Sequence, residues 1–216
     1  FLPTGWVDRL MRRLRPRSRR VPPRKGQEQQ PVVICPYLYD HEPADIQRKF
    51  GLDGRSQQEI EFSFWQDAMR IGPERAYQKC WEQFSERDIV IIHSDMAPWP
   101  DEAPGAWFKQ LCHYRDALPQ PGMIAANLFY PPQPGQRLRV QCAGGVFREG
   151  AITHLTGDVE DNPSSSIITT EFLARVRPVD WVTFAGVLIR REVIQSVGRL
   201  DDRYKWAYFM DVDYCL

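Results

Sequence analysis

The sequence has no net charge at pH 7, only four histidines, five cysteines and no apolar run near the roughly 20 residues that cross a bilayer. No charged stretch leads into an apolar one as in a secretory leader. The expectation is therefore a chain that neither spans a membrane nor is recognisably secreted. Cys35, Cys80, Cys112, Cys142 and Cys215 are odd in number, far apart and mostly set among apolar neighbours. They read as buried free thiols in a reducing compartment rather than as a disulfide framework. His41, His93, His113 and His154 do not stand at zinc-site spacing from a cysteine pair, which excludes a structural zinc finger from the expectation.

What is present is a globular composition: 43% hydrophobic and 12% aromatic residues in a chain of 216, enough for one domain with a sizeable core and an appendage. The zero charge conceals an asymmetry. Residues 1–25 hold nine basic side chains against Asp8, leaving 19 basic against 27 acidic residues in the remainder. Within that head, Trp6, Leu10 and Leu14, with Val7 and Met11, share one helical face opposite arginines. A basic amphipathic helix of this kind suits an anionic membrane surface, so residues 1–20 are a candidate membrane contact; a helix docked on its own domain fits the same pattern. Arg15 to Gln30, rich in Arg, Pro and Gln, reads as a linker. Its charge could hold RNA, although nucleic acid is not the partner expected. The expected division is residues 1–30 as a basic amphipathic and linker segment and 31–216 as the folded domain. Since the first residue is Phe and the last motif ends the chain, a piece of a longer protein is the expectation.

From Pro31 onward the pattern alternates between strands and helices. Val32-Val33-Ile34-Cys35 is a continuous apolar run, as in a strand buried on both faces. A helix follows from Asp40, His41 and Pro43 to about Phe50, and Ile60 to Trp65 alternates like a strand. Pro73 opens a helix with Tyr77, Trp81 and Phe84 on one face. Asp88 to Asp95 is the clearest strand, apolar until polar residues appear abruptly at His93-Ser94-Asp95. In open α/β sheets ligands sit at that carboxyl end. After a Pro-rich loop, Trp107, Leu111 and Tyr114 mark another helix and Gly122 to Leu128 another strand. Two short β segments flank Gly144-Gly145, and 157–166 reads as a flexible acidic loop. Val179–Thr183 and Ala185–Ile189 read as strands, and Arg191 to Val197 as a helix ended by Gly198. This order implies an α/β fold with a mostly parallel central sheet and helices on both faces.

The chain closes on Tyr208-Phe209-Met210-Asp211-Val212-Asp213-Tyr214-Cys215-Leu216. Two carboxylates fenced by apolar side chains are costly to bury unless hydrogen-bonded, neutralised or bound to a cation. Asp211 capping a helix and Asp213 on its solvated face is the plain alternative.

Read together, these stretches resemble family-two glycosyltransferases, particularly the bacterial rhamnosyltransferase-like members that build cell-surface polysaccharides. The resemblance rests on the order of Ile71-Gly72-Pro73-Glu74-Arg75-Ala76, Ile91-Ile92-His93-Ser94-Asp95, Val140-Gln141-Cys142-Ala143-Gly144-Gly145, Trp181 to Val193, Val197-Gly198-Arg199-Leu200-Asp201-Asp202 and Asp211-Val212-Asp213. It implies a GT-A fold with a small acceptor-side β segment. The implied activity is an inverting, metal-assisted transfer of a sugar from a nucleotide-sugar donor to the hydroxyl of a glycan or lipid-linked saccharide. Mg²⁺ or Mn²⁺ is the implied cofactor. Such an enzyme works in the cytoplasm, here with a peripheral place at the inner face of the cytoplasmic membrane. By position, Asp211 is the catalytic base, Asp95 with His93 the metal site, and Asp40 and Ser94 the donor side. Trp181, Gly186, Trp206 and Asp213 belong to the acceptor side. Read by themselves, Trp181 and Trp206 equally suit core or lid aromatics, Gly186 a backbone requirement and Asp213 the support of local structure.

Three positions depart from the family pattern. His93 stands for an Asp or Asn, Met210 for a Glu, and no Asp-Asn-Gly-Ser-like turn follows a second strand. They motivate the alternative of a catalytically degenerate GT-A protein that binds a glycan or a partner.

Overall fold

The structure is a computed structural model that describes residues 30–50, 60–70, 72–100, 102–159, 168–204 and 209–216. The basic head expected to touch membranes, most of the acidic loop and Trp206 lie outside the described residues. The chain divides into two compact units, one of Arg20–Ile124 with Phe184–Met210 and one of Ala125–Thr183 with Asp211–Leu216. Segments of residues 31–216 contribute to both.

The first unit carries a five-stranded sheet in the order β2-β1-β3-β10-β4. Its strands are β1 (Val32–Tyr37), β2 (Glu61–Gln66), β3 (Ile89–Ile91), β4 (Met123–Ala125) and β10 (Val187–Ile189). β1 runs parallel to β2 and β3, whereas β10 is antiparallel to β3. The chain is thus mixed α/β, with a mixed sheet in which β1, β2 and β3 run parallel and β10 runs against β3. Continuous apolar runs form these strands because both of their faces are covered: Val32, Val33, Ile34 and Cys35 are all fully buried, as are Ile89, Val90 and Ile91. Each such aliphatic side chain removes apolar surface worth about 2 kcal/mol from water.

Helices complete the core. α1 (Glu42–Lys49) and α3 (Ala106–Ala117) place Ile46, Phe108 and Leu111 in one cluster with Val33, Cys35, Val90, Ile92 and Leu188. α2 (Glu74–Gln83) buries Tyr77 and Trp81, whose rings pack on Phe184 at 5.8 and 6.0 Å between centroids. Asp88, 2% exposed, accepts a hydrogen bond from Arg115 Nη1 at 3.2 Å and from the Arg191 backbone at 3.0 Å. It thereby ties the start of β3 to α3 and to the first turn of α5 (Arg191–Val197). Gly198 ends α5 at φ +83°, a conformation that favours glycine.

The second unit holds a three-stranded sheet of β5 (Leu128–Phe129), β6 (Arg139–Cys142) and β9 (Gly157–Asp158), and a hairpin of β7 (Gly145–Arg148) and β8 (Ala151–His154). It also contains α4 (Thr170–Ala174), begun by the Thr169 hydroxyl accepting from the Phe172 N–H, and most of α6 (Met210–Cys215). The expected strand over Val179–Thr183 does not form; Trp181 makes a single bridge to Gly145. Trp181 is 2% exposed, and its indole fills the space a side chain at Gly145 would need, 2.1 Å from an added Cβ. Packing, not strand pairing, buries that apolar stretch.

Candidate functional site

β1 leads through α1 to β2 on one side, and β3 then lies on the other side of β1. The strand order therefore reverses at β1, the topological switch point whose carboxyl ends host ligands in open α/β sheets. The loops that leave β1 and β3 there are Leu38–His41 and Ile92–Asp95. Asp40, His93, Ser94 and Asp95, all expected as site residues, are brought to this edge by the register Val32↔Ile89, Val33↔Val90, Ile34↔Ile91.

The two loops are held together by Glu42, which the sequence did not single out. One of its carboxylate oxygens accepts from the Leu38 N–H at 2.6 Å and from the Tyr39 N–H at 2.7 Å. The Ser94 side chain is a further hydrogen-bond partner. Partial burial would raise the Glu42 pKa, but the Tyr39 and Leu38 amides, the Ser94 hydroxyl and nearby His41 outweigh it and hold the carboxyl below its ordinary value. Asp40 is exposed and accepts from Gln66 Nε2 at 2.6 Å, which joins the end of β1 to the end of β2.

His93 is half-buried, and its Nε2 is 2.7 Å from the Tyr77 hydroxyl, with the two rings stacked. That nitrogen is committed to Tyr77. Asp95, in contrast, is exposed, and its carboxylate makes no hydrogen bond or ion pair among the described residues. Lys49 closes the group: its Nζ donates to the Ser94 carbonyl at 3.3 Å. The buried Cys35 thiol, in the second half of β1, feels these charges. Burial, with Glu42 and Asp95 adding and Lys49 opposing, pushes it up to about 12.

The other expected residues occupy different surroundings. Gly186 has φ +66° and donates to the Ile91 carbonyl at 2.9 Å, so glycine is required there to bring the chain into β10. Trp181 is a core residue rather than an exposed stacking surface. Its ring meets His154 edge-on at 4.5 Å and packs with Cys142 and Val212. Asp211 and Asp213 both lie in the first turn of α6, where the helix dipole favours negative charge. Asp211 Oδ1 accepts from the Val212 N–H at 2.9 Å. Burial pushes the Cys215 thiol up to about 12, and the Asp211 charge adds to the rise. Met210, at the position where the resemblance expects Glu, is 4% exposed.

Among the described residues no group of three or more His, Cys, Asp or Glu side chains could hold a metal ion by itself, and no helix is long and apolar enough to cross a membrane. No protein-family profile matches the chain, and neither do any of the curated proteins or solved structures compared with it.

Proposed function

We propose that the chain is a glycosyltransferase of the GT-A kind that moves a sugar from a nucleotide-sugar donor to an acceptor hydroxyl with inversion. The observation that carries the reading is the edge at the ends of β1 and β3. There an unpaired carboxylate, Asp95, follows a buried strand at the switch point and stands beside a serine fixed from the facing loop.

The donor set suits a hard divalent cation shared with a substrate. Mg²⁺ typically takes one or two carboxylate oxygens and completes its shell from phosphates and water, so a single exposed carboxylate is sufficient on the protein side. Asp95 would hold Mg²⁺ or Mn²⁺, and His93, engaged by Tyr77 through Nε2, would support the loop rather than bind through that atom. When bound, the ion neutralises the charge that builds on a departing nucleoside diphosphate. Asp40 and Ser94 would lie on the donor side. Asp211, in the first turn of α6, would accept the proton of the attacking hydroxyl. The acceptor would be a glycan or a lipid-linked saccharide, with polysaccharide assembly at the inner face of the cytoplasmic membrane as the setting.

The test is a thermal-shift screen of nucleoside diphosphates and nucleotide sugars with and without Mn²⁺, followed by a transfer assay. A donor that raises the melting temperature only with Mn²⁺, an Asp95→Ala variant that loses this rise and an Asp211→Asn variant that keeps it but transfers no sugar are the expected results. No shift with any nucleoside diphosphate would refute donor binding. The burial of Met210 favours one competing reading, a degenerate GT-A protein that binds a glycan without transferring sugar. Turnover that depends on Asp95 and Asp211 would exclude it.

A further inference from the structure

We infer that Lys49 is a phosphate-binding residue of the β1/β3 edge and that the ligand it takes is the diphosphate of a nucleotide; the inference rests on the glycosyltransferase reading and adds to it. Lys49 ends α1, where a lysine ordinarily does no more than face the negative end of its own helix. Here the side chain instead reaches across to the carbonyl of Ser94, 45 residues away in sequence, at 3.3 Å. It forms no ion pair among the described residues, although Glu42 and Asp95 are close enough for all three charges to act on the Cys35 thiol.

The two carboxylates are not equivalent competitors for this ammonium. Glu42 is already satisfied by two backbone amides and the Ser94 side chain, which spreads its charge into fixed donors. Asp95 carries no such bonds. The result is a carboxylate and an ammonium that form no ion pair, both next to Ser94: Asp95 in sequence and Lys49 through the Ser94 carbonyl. A free pair would collapse into a surface salt bridge worth little. Kept apart, the carboxylate is available to a divalent cation and the ammonium to the oxygens of the same diphosphate. An ammonium resting on a neutral carbonyl has given up one of its three donors, and it exchanges that weak bond for a charge-assisted one when phosphate arrives.

The experiment is isothermal titration calorimetry of the full chain with inorganic pyrophosphate and Mg²⁺ at low ionic strength, comparing the parent protein with Lys49→Ala, Lys49→Arg and Lys109→Ala. The last removes an equal charge from the exposed face of α3. Lys49→Ala is expected to weaken binding by about tenfold or more, the loss of one charge-assisted hydrogen bond. Lys49→Arg is expected to retain most of the affinity, and Lys109→Ala to match the parent. Because Lys49 is exposed, an unchanged melting temperature in Lys49→Ala separates lost binding from lost folding. A parent protein that does not bind pyrophosphate, or a Lys49→Ala variant that binds as the parent does, overturns the inference. If nucleoside diphosphates still give a full Mn²⁺-dependent shift in Lys49→Ala, the lysine assignment fails while the transferase reading stands. If pyrophosphate binding needs Lys49 but no nucleoside diphosphate binds better than pyrophosphate, the phosphate subsite stands and the transferase reading fails.

Discussion

Replacing Gly145 by alanine is expected to be among the most damaging single-methyl additions in the second unit. The added Cβ would lie 2.1 Å from Cε2, 2.2 Å from Nε1 and 2.3 Å from Cζ2 of Trp181. Carbon atoms repel strongly inside about 3.5 Å, so the indole would have to retreat by more than an ångström. It has little room, being 2% exposed, edge-on to His154 at 4.5 Å and enclosed by Cys142 and Val212. Overpacking of a close-packed site costs about 1–3 kcal/mol, and a contact this short with a rigid ring belongs at about 3 kcal/mol. Trp181→Phe alone should cost less, about 1–2 kcal/mol, since the smaller ring leaves a cavity but removes an indole N–H that is buried without a partner among the described residues. In the double variant the phenyl ring lacks the outer edge of the indole that carries Cζ2 and is smaller, which relieves part of the contact with the methyl group. The pair should therefore be coupled by about 1–2 kcal/mol, measurable as a double-mutant cycle from urea unfolding followed by circular dichroism. A Gly145→Ala variant within about 0.5 kcal/mol of the parent, or strictly additive effects in the double variant, would refute the argument that Gly145 is glycine to admit the indole.

Asp88→Ala should destabilise the first unit by about 3–5 kcal/mol, because it strips a buried arginine of one partner and leaves the Arg191 amide without its acceptor; equilibrium unfolding measures this. The depressed Glu42 pKa makes a stability contribution that is complete above the unfolded value of 4.5 and is lost as pH falls through the lower folded value. The melting temperature of the parent should consequently fall more steeply on acidification than that of Glu42→Gln, and parallel curves would contradict the assignment. Cys35, Cys80 and Cys215, all with thiols pushed up to about 12 by burial, should resist alkylation at neutral pH until the chain unfolds. Partly exposed Cys112 should label first, as read by mass spectrometry of the digested protein.

Much of the first unit is legible in the sequence because its strands are fully buried. Val32 to Cys35 and Ile89 to Ile92 are uninterrupted apolar runs, and few structures other than a central strand bury such a short run on every side. Strand direction is another matter. Val187-Leu188-Ile189 has the same composition as its neighbours, and an apolar run reads alike in either direction, so nothing local distinguishes its antiparallel pairing with β3 from a parallel one. The segment around Trp181 misleads for a related reason. Val179 to Thr183 is apolar enough for a strand, but its one bridge is from Trp181 to Gly145, 36 residues away, and the indole is buried by packing on that glycine, Cys142 and Val212. α4 is five residues long and buries none of them, which leaves no periodic face to find.

The carboxyl edge of β1 and β3 shows why a site is harder to read than the elements that carry it. Asp95 and Ser94 can be picked out because polarity breaks abruptly after an apolar strand, a signal contained in a few consecutive residues. Glu42 and Lys49 carry no such signal. In sequence they are an acidic residue in the first turn of a helix and a basic one in the last, the placement that helix dipoles favour everywhere. What distinguishes them is a partner far along the chain: Ser94 accepts from Lys49 through its carbonyl and shares a hydrogen bond with Glu42 through its side chain. One helix thus grips the loop after β3 at both of its ends, and the grip exists only because β1 and β3 are register neighbours. The same parallel pairing that places the two loops side by side leaves Asp95 and Lys49 near one another and unpaired. An edge whose charges were needed for stability alone would be expected to join them.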